Sequence, residues 1–228
     1  CIRDRSNHAH FQAFYLNDLE EASNTLNTAM AIPNISKKDL AECKLEYADI
    51  MLLEGNIWQA LLYYSQVEKD FKESPIGHEA KFRRARISYY QGDFQWAQAQ
   101  LDVLKASTSK LISNDAMQLS LLITDNYNLD TSEVAMQIFA SAEMLSYQQN
   151  YRDALYNYDS LLTYFDGHSL SDEIYIRKAD IFLQQDSIYL ALAMCQKIIS
   201  EWPFDILADD ALYMQAKIYE DILKDKEK

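Results

Sequence analysis

The segment ADIMLLEGNIWQALLYY at 48–64 recurs three more times along the chain with the same internal spacing. The later copies are ARISYYQGDFQWAQAQL at 85–101, AEMLSYQQNYRDALYNY at 142–158 and ADIFLQQDSIYLALAMC at 179–195. Each copy begins with an alanine, has a polar stretch near its middle, and carries a second alanine 12 residues after the first. This recurrence predicts a repeated pair of helices joined by a turn.

Two series of alanines fix the register of the repeats, and we refer to them as the ruler alanines. The first series is Ala48, Ala85, Ala142, Ala179 and Ala216, and the second is Ala60, Ala97, Ala154 and Ala191. Neighbouring members of a series are 37 residues apart, except for one gap of 57 residues in each series, after Ala85 and after Ala97. Because a small residue lets two helix backbones approach closely, we expect each ruler alanine at a helix crossing.

The turn within each repeat has its own signature. Gly55 and Gly92 occupy the same place in two copies, as expected for a residue of positive φ that ends a helix. Asn56 and Asp93 follow them and are expected to cap the next helix. The turn therefore supports the same register as the alanines.

Turn-forming residues are otherwise scarce, with 4 glycines and 3 prolines among 228 residues. A β-sandwich or barrel needs frequent Gly/Pro-rich turns, and phosphate-binding loops need clustered glycines. Both classes are excluded, since no two glycines lie closer than 15 residues. The sequence thus predicts an all-α solenoid of antiparallel helix pairs with about eleven helices.

The gap of 57 residues predicts three segments: repeats 1–3 in 1–110, an insertion at 111–131, and repeats 4–5 with the first helix of a sixth in 132–228. The insertion begins LISNDAMQLSLLITDNYNLD (111–130) and is expected to form an extra helix near 113–127. Its apolar residues lie on nearly all sides of such a helix, which predicts burial between neighbours. We interpret it as a wedge that changes the pitch of the solenoid.

These features resemble the tetratricopeptide repeat (TPR): a small residue, a Gly-Asx-aromatic turn, an alanine, and an aromatic residue four positions later. Tyr64 and Tyr158 match that aromatic residue, and Pro203 matches the proline near the end of the second helix. The period departs from the family's, which is about 34 residues. The segments 171–203 and 208–223 are also similar to envelope-associated bacterial TPR proteins, of the Bam-complex lipoprotein and Tol–Pal coordinator type. The resemblance implies a right-handed superhelix.

The resemblance further implies that the first helices line a concave, protein-binding groove. The positions that it assigns to this groove are Leu45, Asp49, Leu52, Phe82, Arg86, Tyr89, Tyr90, Phe139, Glu143, Tyr147, Ile176, Asp180, Tyr213 and Lys217. Aromatic residues with interspersed charges suit a peptide partner. The alternative is that many of these side chains pack against the adjacent helix. The Lys and Asn residues of the chaperone-type carboxylate clamp are not found at the corresponding positions.

The charge of the chain argues against two classes of partner. The net charge is −14, with 13 Lys/Arg against 15 Asp/Glu in 1–112, and 8 against 20 in 113–228. Nucleic acids and anionic membrane surfaces both require basic patches. The single dense basic cluster is KFRRAR (81–86). It is interpreted either as solvated or internally paired, or as placing Arg86 against an acidic group of a ligand or a neighbouring repeat.

No catalytic or metal-binding motif of the HExxH, GxSxG or CxxC type occurs in the sequence. The four histidines are not spaced as ligands, and Cys43 and Cys195 are expected to be buried apolar residues. Carboxylate pairs such as Asp172 and Glu173 fall in the first turn of predicted helices, where they favour the helix dipole. We therefore expect neither an enzyme nor a cofactor or metal site.

The sequence predicts a non-catalytic protein–protein interaction scaffold that holds a peptide segment or partner subunit along the groove, and a homo-oligomer is compatible with it. The alternative is an oligomerisation or spacer/sensor module of a larger regulatory protein. The resemblance favours a periplasmic or outer-membrane-associated location in a bacterium over the cytoplasm, without direct membrane insertion. Cys1 is interpreted as a processing boundary or as a lipidated first residue.

Overall fold

The computed structural model describes residues 2–107, 109–127 and 133–224, and every regular element in them is helical. These ranges hold twelve α-helices, one more than the predicted count of about eleven, and a π-helical turn at Ile218–Ile222. The helices are α1 (Ile2–Phe14), α2 (Leu19–Met30), α3 (Lys37–Leu53), α4 (Ile57–Asp70), α5 (Pro75–Tyr90), α6 (Phe94–Leu104), α7 (Lys110–Tyr127), α8 (Glu133–Tyr147), α9 (Tyr151–Tyr164), α10 (Ser171–Gln184), α11 (Ile188–Glu201) and α12 (Ile206–Lys217). The predicted all-α class is confirmed. Cys1 and residues 128–131 of the insertion lie outside the described residues.

Helices that follow one another in the chain pack together within two compact units, Cys1–Thr124 and Asp125–Lys228. In the first unit α1 pairs with α2, α3 with α4, and α5 with α6. In the second unit α8 pairs with α9 and α10 with α11. First helices of successive pairs also touch, since α3 contacts α1 and α5, and α10 contacts α8 and α12. Such neighbour contacts are those of a helical-repeat solenoid, as predicted.

The burial of the ruler alanines agrees with their expected place at the helix crossings. Eight of the nine have no exposed surface: Ala48, Ala60, Ala85, Ala97, Ala142, Ala154, Ala179 and Ala191. The ninth, Ala216 on α12, is exposed, and the described residues contain no second helix that pairs with α12. The alanine spacing therefore identified a buried position on both helices of every complete pair that it covers.

Four of the helix pairs are joined by the same turn. In the first of them the N–H of Gly55 donates to the carbonyl of Leu52 at 3.0 Å, and the N–H of Asn56 donates to that of Met51 at 2.7 Å. This double hydrogen bond is the Schellman motif, which requires positive φ at its centre. The central residues are Gly55 (φ +84°), Gly92 (φ +79°), Gln149 (φ +59°) and Asp186 (φ +54°). The predicted role of the two glycines is confirmed.

The extra helix α7 begins three residues earlier than predicted and is not buried on all sides. Ile112 and Ile123 are buried along one face, whereas Met117 and Leu121 are about half exposed. The expectation of burial all round is therefore wrong, because the apolar run contains a single stripe at helical spacing that faces the core. The role of the insertion as a wedge stays a prediction.

Gly77 permits a close approach of the chain between the second and third helix pairs. It is the third residue of α5, and a Cβ atom there would lie 1.9 Å from the carbonyl oxygen of Phe71, which follows α4. Side-chain atoms are not tolerated at that distance, so the connection from α4 to α5 depends on a residue without a side chain.

We expect Gly77→Ala to lower the free energy of unfolding by about 2–3 kcal/mol, because the backbone of Phe71 must move to admit the methyl group. Urea unfolding followed by circular dichroism measures the change. Gly167→Ala is the control: Gly167 has φ +74° and open space around its Cβ direction, so backbone strain alone should cost about 1 kcal/mol. Equal losses for the two variants would contradict the steric explanation.

Candidate functional site

The structure separates the predicted groove residues into a buried set and an accessible set. The buried residues are Leu45, Leu52, Phe82, Tyr89, Phe139 and Ile176. The partly exposed residues are Asp49, Arg86, Tyr90, Glu143 and Tyr147, and the exposed ones are Asp180, Tyr213 and Lys217. The buried set contributes to the packing of the helices, so a partner could touch only the other eight side chains in this conformation.

A charged contact joins the first helices α3 and α5. Arg83 on α5 pairs with Asp49 on α3, and its Nε donates to Glu79 Oε1 at 2.9 Å. Tyr64, fully buried on α4, donates from its hydroxyl to Asp49 Oδ1 at 2.5 Å. Burial lowers the pKa of the Arg83 guanidinium, but the attraction of Asp49 and Glu79 outweighs it and the pKa is raised. The Asp49 carboxylate is thus held by groups from two other helices.

The pairing of the arginine with the acid recurs in the second unit, 94 residues later in the sequence. The Nε of Arg177 on α10 donates to Glu143 Oε1 on α8 at 2.6 Å. Tyr158 on α9 is fully buried at the repeat position of Tyr64. The Glu143 carboxylate raises the pKa of Arg177 against the opposing effect of burial. An acid, a tyrosine and an arginine therefore occupy the same three repeat positions in both units, and we call this set the acid–tyrosine–arginine network.

The residue after each of these arginines also pairs backward, but with a second helix. Arg84 forms an ion pair with Glu68 on α4, and Lys178 forms one with Asp159 on α9. Two adjacent cations on one first helix therefore contact both helices of the preceding pair. Of the interpretations of the KFRRAR cluster, the structure confirms internal ion pairing for Arg83 and Arg84.

Sequence reasoning missed Arg83 and Arg177 as network residues, although a signal was present. Each stands two residues before a ruler alanine and 34 residues after the acid that it contacts. Opposite charges at a fixed spacing close to one repeat are what a contact between successive first helices requires. A search for charge pairs across repeats would have found them.

Arg86 takes the place of the acid in the third helix pair, since it follows Ala85 as Asp49 follows Ala48. Its guanidinium carbon lies 5.7 Å from the centre of the Tyr90 ring. Burial and, to a smaller extent, Glu79 raise the pKa of Asp115 on α7, while the charge of Arg86 lowers it. Arg86 thus interacts with an acid of the inserted helix α7, and its expected pairing with a ligand or a neighbouring repeat stays a prediction.

The contact between α10 and α12 lacks the network. Met214 stands at the repeat position of Arg177, and its Sδ lies 3.4 Å from the Sγ of Cys195, which stands at the position of the tyrosine. Asp180 stands at the position of the acid; it is exposed, and it forms no ion pair within the part of the chain that the structure describes. A ligand can reach this exposed carboxylate, on which the charge of Arg177 three residues earlier in α10 also acts.

Tyr213 and Lys217 accompany Asp180 at this end of the second unit. They are four residues apart on α12, so they project from the same face of that helix. Lys217 forms an exposed ion pair with Asp221 at 3.5 Å, a type of contact that contributes little to stability. Among the predicted groove residues, these three are the most open to solvent.

Two adjacent acidic residues, Asp172 and Glu173, lie in the first turn of α10. Asp172 is only 6% exposed, and its Oδ1 accepts a hydrogen bond from the backbone N–H of Glu173 at 3.0 Å. Burial, a hydrogen bond with Asp172 and the nearby charges of Asp172 and Asp205 raise the pKa of Glu173 to about 9. Glu173 is therefore protonated at neutral pH in the folded protein, a property that the helix-dipole interpretation did not include.

The structure also places two of the histidines and the two described cysteines. His78 Nδ1 lies 2.8 Å from Ser107 Oγ, and His10 Nδ1 lies 2.8 Å from Glu46 Oε1. Cys43 and Cys195 are buried, and burial raises the pKa of both thiols, that of Cys195 to about 11. Over the described ranges, no group of three or more His, Cys, Asp or Glu side chains could hold a metal ion. None of the described helices combines the length and apolar composition of a membrane span.

Comparison with known proteins gave no match, either among protein-family models or among curated proteins.

We expect Arg177→Met to lower the free energy of unfolding by about 1–3 kcal/mol, because it leaves the Glu143 carboxylate, with 14% of its side chain exposed, without its cation. Urea unfolding measures the loss, and Glu143→Gln in the same chain should restore part of it. Arg152→Met on the exposed side of α9 is the matched control and should change stability by less than about 0.5 kcal/mol. A loss no larger than that of the control would show that the contact is not stabilising.

The raised pKa of Glu173 gives stability a defined pH dependence. The unfolded chain releases this proton near pH 4.5 and the folded chain only near pH 9, so rising pH favours the unfolded state between these values. We expect Glu173→Gln to be more stable than the parent by about 1–3 kcal/mol at pH 7–8 and equal to it near pH 4. Thermal unfolding across this pH range measures the difference. A constant difference at all pH values would contradict a protonated Glu173.

Proposed function

We propose that this chain is a non-catalytic interaction scaffold that binds a peptide segment or a partner subunit along the surface of its first helices. The observation that carries the proposal is the accessible set of side chains, which occupies equivalent repeat positions on those helices and combines aromatic with charged groups. Tyr90, Tyr147 and Tyr213 would supply contact area at a low cost in side-chain entropy, and Asp180 and Lys217 would supply polar specificity.

The contact between α10 and α12 is the best-supported part of this surface. In the network, the acid that follows a ruler alanine forms an ion pair with the arginine of the next first helix. At the contact between α10 and α12 that arginine is replaced by Met214, which leaves the Asp180 carboxylate exposed. A lysine or arginine of a bound peptide would form the ion pair with Asp180 that the arginine of the next first helix forms in the network.

We further propose that the repeats belong to the TPR type and that the protein acts at a bacterial envelope, on the periplasmic side or associated with the outer membrane. The support is the residue pattern already quoted, above all Tyr64 and Tyr158 four residues after a ruler alanine. A role as an oligomerisation or spacer/sensor module of a larger regulatory protein is the alternative.

The test is selection from a random peptide library displayed on phage, with the 228-residue chain immobilised. We expect enriched peptides that contain a basic residue beside an aromatic or aliphatic one. The dissociation constant of a synthetic copy, measured by isothermal titration calorimetry, should rise at least tenfold in the variant Asp180→Lys/Tyr213→Ala, a loss of about 1.4 kcal/mol or more.

The control for this experiment is Tyr189→Ala on α11, an equally exposed tyrosine on a second helix. It should leave peptide affinity unchanged. Failure to enrich any peptide, or equal affinity of the enriched peptide for both variants, would reject the first-helix surface as a peptide site.

A further inference from the structure

The connection between α11 and α12 exposes an apolar and acidic segment. Phe204 in this loop is fully exposed, and Ile206 at the start of α12 is 83% exposed. These two are the most exposed large apolar side chains of the described residues. Residues 201–210 read EWPFDILADD and contain four acids and no base. The backbone is fixed, because Asp205 caps α12 by accepting a hydrogen bond from the N–H of Leu207 at 3.0 Å. We call residues 201–206 the hook.

The first unit contains a cavity of complementary character. It has a volume of about 330 Å³ and lies between the start of α3 and the end of α4. Its walls are Leu40, Ala41, Val67 and Phe71, and its charged groups are Lys37, Lys44 and Asp70. The volume falls at the lower end of the range of sites that accept compact ligands. A phenylalanine side chain would fit the apolar floor.

The two lysines of the cavity have no acidic partner of their own. They are seven residues apart on α3, so they lie on one face about 10 Å apart along the helix axis. Neither forms an ion pair with a residue in the described ranges, in contrast to Lys38, which pairs with Glu42. The cavity therefore carries a net positive charge in a protein whose net charge is −14.

We propose that the hook of one copy of this chain inserts Phe204 into the cavity of a second copy. The Phe204 ring would lie on the partly exposed Leu40 and Phe71, with the Asp205 carboxylate of the hook beside Lys37 and Lys44. Glu201 would exchange its ion pair with Lys197, at 3.6 Å, for one with these lysines. Both parts are present on one chain, charge complementarity selects the pairing, and the fully exposed Phe204 gains a buried environment. This self-association uses the side of α3 that lies against the end of α4, and none of the groove positions of the proposed function, which it goes beyond.

The contact is heterologous, because the patch on one copy differs from the patch on the other. Such contacts build chains of copies, or rings if the rotation closes. The buried area is small, so association is weak and should be detectable only at micromolar to millimolar concentrations. Because opposite charges face each other, it weakens as salt rises.

The experiment is sedimentation velocity of the 228-residue chain over a range of concentrations. The mean mass of the parent chain should rise with concentration, whereas Phe204→Ser and Lys37→Glu/Lys44→Glu should each weaken association at least tenfold. Tyr164→Ser replaces another exposed aromatic residue, and Lys105→Glu/Lys110→Glu makes the same charge change elsewhere. Both control variants should associate like the parent, and thermal unfolding confirms that each variant is folded.

Mixing the two defective variants tests the pairing itself. The Phe204→Ser chain keeps its cavity and the Lys37→Glu/Lys44→Glu chain keeps its hook, so the mixture should form dimers and stop there. A labelled peptide of residues 200–207, SEWPFDIL, should bind the Phe204→Ser chain and not the lysine variant. A parent chain that stays monomeric at all concentrations, variants that associate like the parent, or a mixture without dimers would overturn the proposal.

Discussion

The close approach of two helices at an alanine is the constraint on which the rest of this structure depends. A side chain larger than a methyl group at Ala48 or Ala60 would separate the backbones and move every residue that is placed relative to them. Tyr64 on α4 can donate to Asp49 on α3 because these two helices pack directly against each other. The Schellman turn at Gly55 sets the angle at which the second helix returns. Packing, turn and charge contacts therefore share one register.

The acid–tyrosine–arginine network adds specificity to this register. An apolar helix surface alone tolerates sliding, whereas an arginine that must meet one carboxylate 34 residues earlier does not. Buried ion pairs often give little net stability, and their best-attested role is to fix which partners meet. On this interpretation Arg83 and Arg177 select the neighbouring helix, and the alanines determine how closely it packs.

The fold could be predicted from the sequence because periodicity depends on local geometry. The alanine spacing gave the helix pairs, and Gly55 and Gly92 gave their turns. The accessible surface could not be predicted in the same way, because exposure depends on which neighbour covers a position. Tyr89 and Tyr90 are adjacent and both aromatic, yet only Tyr89 is buried. The pKa of Glu173 could not be predicted either, since it depends on burial at a helix start that looked solvent-exposed in the sequence.

The pairing of each helix with its chain neighbours has a consequence for how the molecule folds and how it unfolds under mechanical force. In the described residues, the main helix contacts join elements one or two places apart in the chain. Few long loops must close before native contacts form, so the chain has the low contact order of fast-folding helical proteins. Pulled from its termini, each unit should unravel by successive helix pairs rather than in a single rupture, because stability is a sum of nearest-neighbour terms. A helical-repeat chain built in this way can lose a terminal helix pair and recover it without unfolding the rest of its unit.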